Sequence, residues 1–132
     1  MGNEQTPVEK PEITAEMAEL LDAIKEGLLG KKAERIVRLD VRGLTSVADF
    51  MFVCHATTDI QVKAIANSVI EATREIGDAP WRKEGASERR WVVLDYINVV
   101  VHIFLEELRE YYNMERVWND AEIEHIVDEP AG

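Results

Sequence analysis

The chain has a single cysteine in 132 residues, Cys54, set in an apolar run. An internal disulfide is therefore excluded, and a reducing compartment is the natural setting. No apolar run approaches the roughly 18 residues that a bilayer-spanning helix needs. The opening residues, Met-Gly-Asn-Glu-Gln-Thr-Pro, lack the basic start and apolar stretch of a secretory signal. A soluble, cytoplasmic protein with no membrane contact is expected. The seven glycines are scattered, with neither GxxxxGKS/T nor GxGxxG spacing, which argues against the common phosphate-binding loops. His55, His102 and His125 lie on distant segments without His-x-x-x-His spacing, so no metal set is indicated and no cofactor is expected.

A basic excess is also missing. The net charge is −11, and it is unevenly spread. Residues 1–30 carry seven acids and two bases, residues 31–104 ten acids and eleven bases, and residues 105–132 nine acids and two bases. Acidity thus sits on the terminal segments while the centre is near neutral, a pattern that disfavours broad contact with DNA or other phosphate backbones. A basic protein partner would be steered well. The plainer alternative is that the charge only keeps a small domain in solution.

What is present is strong patterning. A chain of this length forms one domain that buries about two-thirds of its unfolded surface. Residues 1–12, with two prolines and no apolar period, are expected to be disordered. The domain is expected over residues 13–118, followed by an acidic, disordered tail over 119–132. Ile13, Met17, Leu20, Leu21, Ile24 and Leu28 recur at helical spacing between a capping Thr14 and a terminating Gly30. Arg35 to Val41 alternates on a period of two and predicts a half-exposed strand. Phe50 to Cys54 is a continuous apolar run, a more central strand. Thr58 and Gln61 offer a capping box for a helix whose face is Val62, Ile65, Ala66, Val69, Ile70, Thr73 and Ile76, with Gly77 as its stop.

Pro80 to Glu84 predicts a short edge strand, and Trp91 to Phe104 a hairpin with Asp95 and His102 among its apolar residues. A final helix is expected to turn Phe104, Leu108, Tyr111 and Tyr112 inward, with Arg109 and its glutamates outward. These elements predict an α/β single domain with a mixed, mainly five-stranded sheet flanked by helices. Burying Asp95 or His102 unpaired would cost several kcal/mol, roughly, so each needs a partner or an exposed face. No Ser or Cys nucleophile can be placed beside His102, which reads as a satisfied sheet histidine, and Asp95 reads as a backbone acceptor at the hairpin end. Asp49 precedes Phe50 and Met51 rather than a second acid, so the paired carboxylates of a metal-dependent nucleotidyltransferase are missing. Trp91 reads either as core or as an interface anchor at the sheet rim.

Taken together, Asp40-Val-x-Gly43-x-Thr45-Ser46-x-x-Asp49, Glu84-Gly85 ahead of Trp91-Val-Val-x-Asp95, Val101-His102-Ile103, Glu107-x-Arg109-x-x-Tyr112 and Glu115-x-x-Trp118 resemble the ribosomal silencing factor family, also called Iojap-like. The resemblance spans about residues 17–118. It implies a translational repressor, not an enzyme, that binds the large ribosomal subunit through ribosomal protein L-fourteen. In that family the bound factor sterically blocks joining of the small subunit when nutrients are scarce. It also implies a nucleotidyltransferase-like fold without catalytic acids, and homodimers among family members. Glu84, Gly85, Trp91, Asp95, His102 and Tyr112 match the family pattern and are the candidate partner-binding residues. His55-Ala56-Thr57-Thr58 departs from the usual Thr-Gly-x-Ser, and Ile60-Gln61 from an Arg-His pair. The alternatives are a minimal nucleotidyltransferase-type enzyme and a dimeric scaffold with an unrelated protein partner.

Overall fold

In the computed structural model, residues 10–127 are described. Thr14 caps the first helix, α1 (Ala15–Gly30), its hydroxyl accepting the Met17 N–H at 3.1 Å. The second helix, α2 (Asp59–Arg74), is capped likewise by Thr58, which accepts from the Gln61 N–H at 3.1 Å. Only half of the predicted capping box forms. The Gln61 side chain donates instead to the Lys31 carbonyl, tying the start of α2 to the end of α1. Gly77, at φ +80°, lets the Gly77 and Asp78 N–H groups turn back onto the carbonyls of Arg74 and Thr73.

The strands are β1 (Glu34–Asp40), β2 (Phe50–Ala56), β3 (Arg82–Glu84), β4 (Trp91–Asp95), β5 (Val99–Leu105) and β6 (Glu122–Ile126). They form one sheet in the order β3-β4-β5-β2-β1-β6. β2 and β5 are parallel and the other pairs antiparallel. Helices α1 and α2 cover one face, packing Leu20, Ile24, Leu28, Ile65 and Val69 against Phe52, Cys54, Leu94 and Ile103. The opposite face is partly covered by two short helices, α3 (Glu106–Tyr112) and α4 (Met114–Val117), with Met114 and Trp118 set on Val37, Leu39, Met51 and Val53.

The helix pair is unusually close. A Cβ built at Gly27 would lie 2.6 Å from the Val69 Cα, so a side chain there must push backbone. Gly27→Ala should cost about 1–3 kcal/mol of stability, as overpacking does, despite the better helix propensity of alanine. A urea midpoint equal to that of the unsubstituted protein would show that the helices yield freely.

Three expectations change. The sheet has six strands, because residues 119–132, expected as a disordered acidic tail, supply β6 beside β1. Charge masked its pattern: Arg38 pairs with the cross-strand Glu124 at 2.7 Å, while Asp40 and Glu122, like charges directly opposite, are reconciled by Lys10 Nζ at 3.2 and 2.6 Å. Lys10 belongs to the segment 1–12 expected to be disordered, whose residues 1–9 lie outside the described residues, as do 128–132 of the tail. Second, Ile36 on the helix side of β1 is buried, so that face, expected to be exposed, is open only at the partly exposed Arg38 and Asp40, while Val37 and Leu39 are buried on the other. Third, α3 buries Arg109 and leaves Tyr111 79% exposed, the reverse of the predicted orientation.

Candidate functional site

Strand register settles which candidates share a surface. Glu84 lies opposite Val93, and Val93 opposite His102, so the three side chains share one face, together with Trp91 and Asp95 two residues along β4. This is the face that α1 and α2 leave uncovered. Tyr112 reaches it from α3, its ring 4.7 Å from that of Trp91, and Trp91 in turn stacks on Phe104 at 4.8 Å. Trp91 is half-buried and Tyr112 is exposed, so the aromatic row begins in the core and ends in solvent.

His102 is fixed by Trp91. The indole Nε1–H donates to His102 Nδ1 at 3.1 Å, which places the proton of the neutral ring on Nε2. Burial pushes the His102 pKa down to about 4, keeping the ring neutral near pH 7. Its Nε2 has no hydrogen-bond partner among the described residues. A buried sheet histidine is thus satisfied on one nitrogen and presents a donor from the other.

Asp95 does not join it. Its Oδ1 accepts the Ile97 N–H at 2.7 Å and closes the β4–β5 turn, as a backbone acceptor at a hairpin end should. Glu84 forms an ion pair with Arg82 Nε at 3.2 Å at the exposed edge. Gly85 has a different role from the other candidates: it sits at φ +81°, and a Cβ there would lie 2.0 Å from the Trp91 carbonyl oxygen. It is a backbone requirement that lets the 85–90 loop close against Trp91. Five of the six candidates therefore converge on one surface, and the sixth shapes its rim.

A second polar cluster escaped the sequence reading. Arg109, 3% exposed, donates from Nη1 to the Arg35 carbonyl at 2.7 Å, the Glu34 carbonyl at 3.3 Å and His55 Nδ1 at 3.0 Å. Its Nη2 donates to Glu115 at 2.8 Å. A bulge in β1, with Arg35 at φ +48°, turns those carbonyls toward it. The His55 pKa is lowered by burial and by the Arg109 charge. The cluster anchors α3 and α4 to the sheet, and so fixes Tyr112 over Trp91. Its only sequence signal was the spacing of Arg109 and Glu115 after β5, with His55 near the end of the apolar β2.

The Cys54 thiol is fully buried and pushed up to about 12 by burial, far from a nucleophilic thiolate. Among the described residues no group of three or more His, Cys, Asp or Glu side chains is arranged to hold a metal ion. No helix among them is long and apolar enough to cross a membrane. The open face presents aromatic area, the His102 imidazole and the Glu84 and Asp95 carboxylates.

Comparison with known proteins gives the family. Residues 14–131 match the family model described as ribosomal silencing factor during starvation. The chain is 39% identical over 112 residues to the ribosomal silencing factor of Halalkalibacterium halodurans, covering 83% of this chain and 96% of that one. It is 44% identical over 91 residues to the ribosomal silencing factor of Bacillus subtilis, covering 69% and 77%. A crystal structure of a protein from Chromobacterium violaceum superposes with a TM-score of 0.76 at 34% identity, covering 89% of this chain and 95% of that one. With its motifs, its α/β sheet and these matches in accord, the chain belongs to the ribosomal silencing factor family.

Proposed function

We propose that this protein acts by occupation in the cytoplasm: it docks through the open face of its sheet on the large ribosomal subunit, by way of ribosomal protein L-fourteen, and its bulk blocks joining of the small subunit. The observation that carries the reading is the aromatic row from Phe104 through Trp91 to the exposed Tyr112, lying on the face that α1 and α2 leave uncovered. Half-buried aromatics that pass from core to surface are the usual anchors of protein interfaces. Acidic α3, with Glu106, Glu107 and Glu110, flanks that face and favours a basic partner. The fold reads as nucleotidyltransferase-like with the catalytic acids gone, since Asp49 has no neighbouring acid on β2. Glu84, Trp91, Asp95, His102 and Tyr112 are the contact residues in this reading, with Gly85 shaping the rim, and a homodimer would compete for the same surface.

Co-sedimentation with isolated large subunits, followed by addition of small subunits, tests it directly. Trp91→Ala should lose about 2 kcal/mol or more of binding free energy, and Tyr112→Ala less, with the fold of the latter intact because its ring is largely outside the core. A wild-type protein that stays in the supernatant, or subunits that still join when it is bound, would sink the proposal.

A further inference from the structure

At the foot of the open face, Val47, Trp81 and Ile97 are 70%, 69% and 59% exposed. They surround a concavity of about 400 Å³ whose fourth wall is Asp95. None of the three apolar residues belongs to the core, and the backbone sets the position of Ile97. Ile97 adopts φ +76°, a backbone region that β-branched residues rarely visit, and the Asp95 carboxylate and the Asn98-to-Tyr96 hydrogen bond of 3.0 Å hold it there. Trp81 is pinned beside the same residue by its N–H on the Asp95 carbonyl at 2.7 Å.

Asp95 is the single charge among the four residues of this wall, and no cation pairs with it directly among the described residues. Arg82 faces it across the strands, but the Arg82 guanidinium pairs with Glu84 at 3.2 Å and lies over the Trp81 ring at 5.6 Å. Asp95 forms no ion pair among the described residues, and only its Oδ1 is engaged, by the Ile97 N–H.

We propose that this concavity is a socket for one basic side chain, lysine or arginine, of the protein partner. Its methylene stem would lie on Val47, Trp81 and Ile97, and its charge would meet the free oxygen of Asp95. Long basic side chains suit such walls because their stems are apolar and their ends charged. A phosphate-bearing ligand would be repelled by the carboxylate, and a small metabolite would find one polar anchor where such ligands need several. This inference rests on the docking reading above and names the chemistry that the partner must bring.

The test measures binding of the full chain to isolated large subunits across a salt series. Asp95→Asn keeps an acceptor for the Ile97 N–H while removing the charge, and Trp81→Ala removes a wall. Each should weaken binding about tenfold or more. Asp95→Asn should also flatten the salt dependence, and both should melt like the wild type. If Asp95→Asn binds with wild-type affinity and salt dependence while Trp91→Ala binds weakly, the socket is wrong and the wider face stands. A loss in Asp95→Asn with normal binding by Trp91→Ala supports the socket alone. If the wild type does not bind at all, the docking reading falls and the socket falls with it.

Discussion

Arg109→Met should unfold the protein more readily than any surface substitution, by about 3–5 kcal/mol, the usual cost of removing one partner from a buried charged pair. The guanidinium serves two carbonyls, His55 Nδ1 and Glu115 at once. Methionine fills comparable volume but leaves all four acceptors without donors. Lysine is no substitute, because a point ammonium cannot span a bulged strand, an imidazole and a carboxylate as a planar fork does. Glu115→Gln should cost only about 1–2 kcal/mol, since its amide oxygen still accepts. The check is the urea midpoint, with the unfolding slope confirming that the transition itself is unchanged. An Arg109→Met midpoint close to that of the wild type would mean that α3 and α4 are held by Leu108, Met114 and Trp118 alone.

Acidification should remove stability well before the carboxylates titrate. The unfolded His102 binds a proton near its ordinary 6.5, whereas burial holds the folded ring neutral down to about 4. Between those values the unfolded state carries the extra proton, so stability is fully present above pH 6.5 and falls as pH drops toward 4. The shift corresponds to a loss of roughly 3 kcal/mol. His55, lowered by burial and by Arg109, adds to the loss with the same sign. At lower pH the decline continues. Asp40 is held at about 2, chiefly by hydrogen bonds from Arg42, so its contribution is lost as pH falls below its ordinary 3.8. For Glu115, burial acts upward but the hydrogen bond and charge of Arg109 outweigh it, so its stabilisation also disappears on acidification. His102→Gln should preserve an acceptor for the Trp91 indole and flatten the upper part of this profile. Superimposable pH–stability curves for the two proteins would show that the buried imidazole does not govern it.

Periodicity made most of the architecture legible, and the places where it failed share a cause. Helices α1 and α2 follow from apolar spacing and threonine caps, and β4 and β5 from a run of branched residues whose two polar members fall on one face. β6 was hidden because its outward positions are Glu122 and Glu124, acids that read as a solvated tail until Arg38 and Lys10 are seen to meet them. The orientation of α3 was misread because a charged residue was assigned to solvent. Nothing local reveals that a bulge in β1, far away in sequence, supplies the carbonyls that make burial of Arg109 affordable. The candidate face was legible as a set of residues but not as a geometry. Register was needed to bring Glu84, Trp91, Asp95 and His102 to one side, and to set Gly85 apart as a backbone necessity. Trp81 and Ile97 drew no notice, since exposure of a large apolar side chain depends on the turn that carries it.

The Lys10 bridge has a practical corollary. By clasping Asp40 on β1 and Glu122 on β6, it draws the first and last described stretches of chain to the same edge of the sheet. Four strand spacings separate β6 from β4 in the sheet order, about 19 Å at the usual inter-strand distance. A fluorophore coupled at the exposed Val127, just after β6, thus sits at the margin opposite Trp91, suited to reporting partner binding by a change in distance rather than by contact.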